Sequence, residues 1–429
     1  MTRRIVVTGI GPITSIGRGI DELWKGLEQG KTNIVCEDKY IGKQKWDTLK
    51  YHRIDGFKIE DYGLDKSKLA WIKDWKEGDE IIDLFLMMGA IKLALDDSKI
   101  LEKDKKHLGL VVTHENMSLL PFFEKICRAV YKTTKENAGM SELDILKHIF
   151  KTCYKSGYDT QPFMTLFHIA KMFGVENNST FTCNACASGL YAIETAAELI
   201  RSKQNKIMAV AASDKADIYK FVWFRDLGIY SKSGVMRPFS KGSDGLVFGD
   251  CGVALILEDY NNALKRGAHI YAEYLGGGFT LEGFQVTMPR VGSGLYNKAI
   301  TKALKNSKVD KEDIEVICPH GVSSNMTDSY EAKAIKDIFG QNAKKPVVTT
   351  FKPYIGHTLG ASALIETAIL ILCMDKGAII PTLNFIEENP QYGFKPLTEK
   401  KNQKVNLALK TCSAFAGYNA AAVFRKLSQ

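Results

Sequence analysis

With 429 residues, a net charge of +9, 45% hydrophobic and 25% charged residues, the chain has the balance of a folded water-soluble protein and is unlike a disordered or fibrous one. No run of about 18 apolar residues argues for a transmembrane helix, and residues 1–11 lack the apolar core and small-residue cleavage site of a signal peptide, so a cytoplasmic protein is expected. The 58 basic and 49 acidic residues are dispersed, without a basic tract or a nucleic-acid motif; the charge reads as an ordinary basic surface, suited to an acidic partner rather than to nucleic acid.

Short apolar runs at residues 5–9, 108–113, 207–212, 253–257, 314–318 and 347–350 predict buried strands, and helical patterns at 85–97, 190–202, 295–306, 329–339 and 361–374 alternate with them. That alternation predicts α/β layering about parallel or mixed sheets. The series runs twice, over residues 1–259 and 260–429, and each closing segment reads as a small-residue turn feeding an apolar strand. A duplicated α/β half-domain accounts for this, and the length fits one large intertwined pair. Residues 40–80, rich in Lys, Asp and Trp (Trp46, Trp71, Trp75), predict a surface excursion with a few anchors, and 116–158 an irregular, mainly helical insertion. The nine cysteines are scattered, most in apolar surroundings (Cys127, Cys153, Cys318, Cys373). They predict reduced thiols rather than a disulfide framework.

The most informative segment is Thr182-Cys-Asn-Ala-Cys186-Ala-Ser-Gly189, between an extended run and a strong helix. A cysteine at a strand-to-helix turn sits at the positive end of the helix dipole, which favours the thiolate, and its small neighbours leave room for a substrate. Three other readings compete. A cysteine among alanines is commonly an inert core residue. Cys183 and Cys186 form a C-x-x-C, a redox signature, but one lying far from the start of a small domain. The same pair is half of a zinc site whose other half is missing, so no metal is expected.

His320 ends an apolar strand and opens His320-Gly-Val-Ser-Ser324; His357 stands in Lys352-Pro-Tyr-Ile-Gly-His357, just before a helix. Each alone reads as a structural hydrogen bond; a cleft role is the sharper alternative. Lys352, at the end of an apolar strand, reads as buried and paired rather than solvated, with Glu331 as its expected ion partner.

Taken together these segments resemble the β-ketoacyl-[acyl-carrier-protein] synthases of the elongating Cys-His-His type, in the thiolase superfamily. The resemblance covers nearly the whole chain: residues 6–17 as the opening strand and turn, Asn184–Gly189 as the nucleophile motif, Arg237–Asp250 as R-P-F-D-x-x-R-D-G, His320–Asp328 with Glu331 as H-G-T-x-T…D-x-x-E, Lys352–Gly360 as K-S-x-x-G-H-x-x-G, and Phe415–Asn419 as F-G-G-x-N. It implies a thiolase-like fold of duplicated halves in an αβαβα arrangement, with two mixed five-stranded sheets. It implies that Cys186 takes the acyl chain, that backbone N–H groups of Cys186 and Phe415 form an oxyanion hole, and that His320 and His357 stabilise the enolate left by malonyl decarboxylation. Lys352 and Glu331 would hold the histidines, Phe415 would gate the acyl pocket, and Ser324 and Val322 would border the pantetheine. No dissociable cofactor is implied, since an acyl carrier protein brings its own phosphopantetheine; a homodimer, or a heterodimer with a chain-length-factor-like subunit, is implied. His357 stands where priming ketosynthases have asparagine. Biosynthetic thiolases use a second cysteine near the C-terminus, and Cys412 keeps that alternative open, as does a non-catalytic chain-length-factor-like role.

The chain departs from the pattern at several places. Val322 replaces a threonine, Pro353 a serine, Ser240 and Ser243 an aspartate and an arginine, Ser413 and Ala414 a Phe-Gly, and Ala416 a glycine; Thr113-His114-Glu115 stands where small residues are usual. These changes imply a specialised, secondary-metabolic enzyme.

Overall fold

The computed structural model describes residues 3–41, 44–65, 67, 81–115, 117, 119–136, 139–340 and 345–427. Ten strands share one hydrogen-bonded path: β1 (Ile5–Thr14), β2 (Leu108–Thr113), β3 (Ser179–Thr182), β4 (Ile207–Asp214), β5 (Cys251–Asp259), β6 (Ala272–Leu281), β7 (Val316–Cys318), β8 (Val347–Val348), β9 (Leu407–Ser413) and β10 (Tyr418–Arg425). Their spatial order is β3-β2-β4-β5-β1-β6-β10-β9-β7-β8.

That order makes the duplication visible. From the centre outward, each half runs first, fifth, fourth, second, third strand of its own series. The directions match as well. The two inner pairings of each half are antiparallel and the two outer ones parallel. The halves meet at β1 and β6 through Ile5↔Tyr274, Val6↔Glu273 and Val7↔Ala272. The two five-stranded sheets expected from the sequence are therefore joined edge to edge.

Both faces of these strands are covered. β1, β4 and β5 are buried at every position, which is why they read as continuous apolar runs rather than alternating ones. Five helices matter for the site: α1 (Ser188–Arg201), α2 (Ile218–Asp226), α3 (Asn325–Phe339), α4 (Lys352–Ile355) and α5 (Ser362–Lys376). α1 and α5 lie in one apolar cluster with residues of β1, β4, β5, β7, β9 and β10, so they form the central layer between the half-sheets. The outer faces are covered by Ile82–Ser98 on one side and by Leu295–Ser307 with α3 on the other. The result is the five-layer αβαβα arrangement.

The predicted elements recur with shifted ends. The helix predicted at 85–97 spans Ile82–Ser98, and that at 361–374 spans Ser362–Lys376. The excursion beginning near residue 40 contains strand Gln44–His52, which pairs with Ile34–Ile41 and, through Tyr51 and His52, with Phe248–Gly249. Leu49 and Tyr51 are buried while Trp46 is exposed; Trp71 and Trp75 lie outside the described residues. The insertion is helical, as Leu119–Glu136 and Glu142–Asp159, and a third helix, Pro162–Phe173, follows it. All nine cysteines are free. Cys127, expected in an apolar setting, is exposed because it lies on the outward side of an amphipathic insertion helix. Among the described residues no helix is long and apolar enough to cross a membrane.

Candidate active site

Cys186 lies between β3 and α1, and His357 between β8 and α5. These are equivalent places in the two halves: the loop from the third strand into the central helix. His320 follows β7 by two residues. The Cys186 Sγ and one ring nitrogen of each histidine all lie within 4.8 Å of one another. The imidazoles stand edge to face, with centroids 5.3 Å apart and planes at 89°. All three residues are at most 4% exposed and line one cavity of about 160 Å³. Residues up to 171 positions apart thus converge.

The loops that carry these groups are strained. Ala185 (φ 49°), Ser323 (φ 62°), Leu359 (φ 43°) and Ala416 (φ 59°) are non-glycine residues in the left-handed region, at about 1–3 kcal/mol each. One lies beside each of Cys186, the His320 loop, His357 and Phe415. The Cys186 turn is closed by Ser188, whose Oγ accepts from the Asn184 N–H at 2.7 Å and donates to the Ala185 carbonyl at 2.6 Å. Gly356, at φ 78°, precedes His357; a side chain there would meet the Phe248 carbonyl at 2.5 Å. The backbone at 357 is held by the His357 N–H donating to the Val247 carbonyl at 2.7 Å.

Hydrogen bonds assign the tautomers of both histidines. The Leu359 N–H donates to His357 Nδ1 at 2.9 Å, leaving the proton on Nε2. Lys352 Nζ lies 3.3 Å from His320 Nδ1 and donates to the His320 carbonyl at 2.5 Å, so His320 likewise carries its proton on Nε2. Burial, and then the positive charge of Lys352, push both imidazoles well below the ordinary histidine range. The cavity therefore presents two neutral N–H donors.

The ion partner of Lys352 is not Glu331, as expected, but Glu366, 2.5 Å away on α5 and fully buried. Glu331 acts on the backbone instead. Its carboxylate accepts from the His320 N–H at 2.8 Å, the Gly321 N–H at 2.6 Å and the Tyr296 hydroxyl at 2.6 Å. Both acidic groups thus support His320, one through Lys352 and one through the main chain.

From its place at the start of α1, Cys186 is expected in a thiolate-favouring setting. In the resting structure burial dominates and pushes the thiol well above its ordinary value, with the nearby Glu115 acting in the same direction and Lys352 against it. A closed, dry pocket disfavours the charged form more than the start of α1 favours it. Glu115, half-buried, is itself raised to about 7 by burial and by Asp214. Cys412 lies 3.3 Å from His320 Nδ1 and its thiol faces the Cys186 carbonyl at 3.4 Å. It is fully buried, pushed up to about 12 by burial, and sits behind His320 on the Nδ1 side.

The chain matches the β-ketoacyl synthase N-terminal domain over residues 2–263 and the β-ketoacyl synthase C-terminal domain over residues 271–386. The chain belongs to the β-ketoacyl synthase family. It is 26% identical to the 3-oxoacyl-[acyl-carrier-protein] synthase 2 of Vibrio harveyi, covering 100% of this chain and 99% of that protein. It is 27% identical to the mitochondrial 3-oxoacyl-[acyl-carrier-protein] synthase of Arabidopsis thaliana, covering 99% and 94%. Among solved structures, the ishigamide ketosynthase/chain length factor superposes with a TM-score of 0.84 at 24% identity, each chain fully covered. A type II polyketide acyl-carrier protein in complex with its ketosynthase, bound to a hexaketide, superposes at 0.83 and 25%, again with full coverage. As a β-ketoacyl synthase the chain is a condensing acyltransferase of fatty-acid or polyketide biosynthesis.

Several departures from the family pattern fall on this synthase's cavity wall. Val322, Ser413 and Ala414 line it beside Ser324 and Phe415, which keep the pattern. Val322 presents a buried apolar surface, whereas the Ser324 hydroxyl makes no capping bond to α3. Ser240 and Ser243 turn inward: Ser240 accepts from the Ile386 N–H at 3.1 Å, and Ser243 donates to the Ser240 carbonyl at 2.8 Å. Phe415 rests on two aromatic rings of α2 that sequence reading missed. It stacks on Phe224 at 5.2 Å and 17°, and meets Trp223 edge-on at 5.7 Å. Glu366 and Lys410 were also missed, although each is a lone charge in an apolar run.

Proposed function

We propose that this synthase carries out decarboxylative Claisen condensation with Cys186 as acyl carrier and His320 and His357 as paired hydrogen-bond donors. The observation that carries the reading is the convergence of the Cys186 sulfur with two neutral imidazoles whose Nδ1 atoms are occupied. In the first step the Cys186 sulfur attacks an acyl thioester; the carrier thiol leaves, taking up the proton that Cys186 gives up. In the second, a malonyl thioester loses carbon dioxide and the electron pair moves into its carbonyl. The two Nε2–H groups stabilise that enolate oxygen. The enolate carbon attacks the Cys186 thioester, the sulfur leaves and is reprotonated from solvent, and a 3-ketoacyl thioester departs. Backbone N–H groups of Cys186 and Phe415 are proposed to hold the tetrahedral oxyanion, and Phe415 to gate the acyl pocket.

Ser324, with Val322 replacing a hydroxyl donor, is proposed to border the pantetheine arm of an acyl carrier protein. No cofactor beyond that substrate-borne arm is needed, and a cytoplasmic setting is proposed. A homodimer, or a heterodimer with a chain-length-factor-like subunit, is proposed from β3, which among the described residues pairs only with β2 and leaves one edge open. The altered cavity wall supports a specialised acyl substrate. The test is release of carbon dioxide from malonyl-carrier protein together with formation of a 3-ketoacyl product across a panel of acyl groups. Product formation by wild type and its loss in Cys186→Ala support the reading; extension of ordinary saturated chains at primary-metabolic rates would remove the specialisation.

A further inference from the structure

The geometry points to Lys410 as a positioning residue of the condensing site: a second buried cation that shares Glu366 with Lys352 and keeps His320 and His357 in their neutral, hydrogen-donating form. This rests on the roles proposed for the two histidines.

Lys410 lies on β9, after apolar Leu409 and before the buried Thr411, with no exposure. Its ammonium is fully engaged. It stands 2.7 Å from Glu366 Oε2 and donates to the carbonyls of Pro319 at 3.1 Å and Thr411 at 3.0 Å. Lys352 takes the other oxygen, Glu366 Oε1, at 2.5 Å and grips the next carbonyl, that of His320. One carboxylate thus bridges two ammonium groups, and these hold successive backbone carbonyls at the start of the His320 loop.

A lysine–glutamate pair alone would be neutral. Lys410 adds one positive charge on the Nδ1 side of His320, in a region where charge is weakly screened. Of the other titratable groups packed there, only the Glu331 carboxylate opposes it, and Lys410 still acts against a charged imidazole. Cys412 on β9 and Cys318 on β7 are thiols pushed up to about 12 by burial. Glu331, from α3, faces the His320 and Gly321 N–H groups and the Tyr296 hydroxyl. His357, from the loop before α5, and Cys186 share the cavity side. Both lysines disfavour a charged imidazole at 320 and at 357.

The consequence has a definite sign. Protonating His357 at Nδ1 would oppose the Leu359 N–H that points at it, and protonating His320 would oppose the Lys352 ammonium. Each event would release an imidazole from its fixed orientation. A second cation moves these events to lower pH, so the acid side of the activity profile extends further down.

The experiment is histidine NMR titration of full-length wild type, Lys410→Met and Lys410→Gln, with resonances assigned through His320→Asn and His357→Asn, alongside the pH dependence of malonyl-carrier-protein decarboxylation. In wild type neither imidazole should titrate near its ordinary value of about 6.5. In either neutral variant both should titrate at least half a unit higher, and the acid limb of the decarboxylation profile should move up in pH by the same amount, half a unit being about a threefold change in the titration constant. Ordinary titration in the wild type, or unchanged titration in whichever variant folds, overturns the inference. The NMR arm needs no turnover, so a failure of the condensing reading would appear separately, as absent decarboxylation with the imidazole shift intact.

Discussion

Gly189 of α1 lies against Leu364 of α5 so closely that a side-chain carbon on the glycine would come within 2.4 Å of the Leu364 backbone nitrogen. α1 follows Cys186 and α5 follows His357, so this contact sets how near the sulfur comes to the imidazole. Gly189→Ala is expected to destabilise the protein by about 1–3 kcal/mol through overpacking and to lower condensation beyond the stability loss. Chemical denaturation and initial rates measured on the folded fraction check both parts.

His320→Ala and His357→Ala each remove one donor to the enolate. Each should slow decarboxylation by about 10²–10³-fold, the usual cost of losing an oxyanion donor. Acylation of Cys186 should be less affected, since it passes through a different oxyanion. Separate single-turnover measurements of the two half-reactions check the split; equal losses in both would show that the histidines serve the fold instead.

Asp328 supplies a pH prediction. Its Oδ2 accepts from the Phe239 N–H at 2.8 Å while Oδ1 is buried with no partner, and burial raises the carboxyl to about 8. Between an unfolded value of about 3.9 and about 8 the folded chain keeps a proton that the unfolded chain has released. This group's contribution is therefore fully present below that lower value and is lost as pH rises toward 8, at up to about 1.4 kcal/mol per pH unit. Asp328→Asn keeps the acceptor and has no charge to bury. Thermal melting from pH 6 to 8.5 should show the wild type losing stability relative to the variant.

The aromatic contacts on Phe415 predict how readily its loop opens. Each pair is worth about 0.5–1.5 kcal/mol, so Phe224→Ala should increase opening by about 2–10-fold. Alkylation of Cys186 by a bulky iodoacetamide should accelerate accordingly, while a small reagent gains less. Equal acceleration for both reagents would assign the effect to general loosening.

The three converging residues were legible because their neighbourhoods are constrained locally. Small residues flank Cys186, and glycine precedes His357 for a backbone reason. The duplicated halves were legible as a repeated strand–helix series. Their edge-to-edge joining at β1 and β6 was not, because no local pattern states which strand edges meet. The Lys352 partner was misread for a different reason. Glu331 is close to His320 in sequence, whereas Glu366 sits in a helix buried on nearly all sides and reads there as a stray charge. A lone acid in the apolar run of α5 and a lone lysine in β9 were signals that each needs an opposite charge in the core. The thiol was misjudged because a helix start is readable from sequence and the depth of burial around it is not.

Every role assigned around the cavity depends on Cys186 being the acylated nucleophile of a condensing site. Peptide mass spectrometry after incubation with acyl-carrier-protein thioesters tests it most directly. An acyl mass is expected on the Cys186 peptide, lost in Cys186→Ala and discharged when malonyl-carrier protein is added. Acylation at Cys183 or Cys412 instead, or an unmodified chain with every thioester offered, would contradict it.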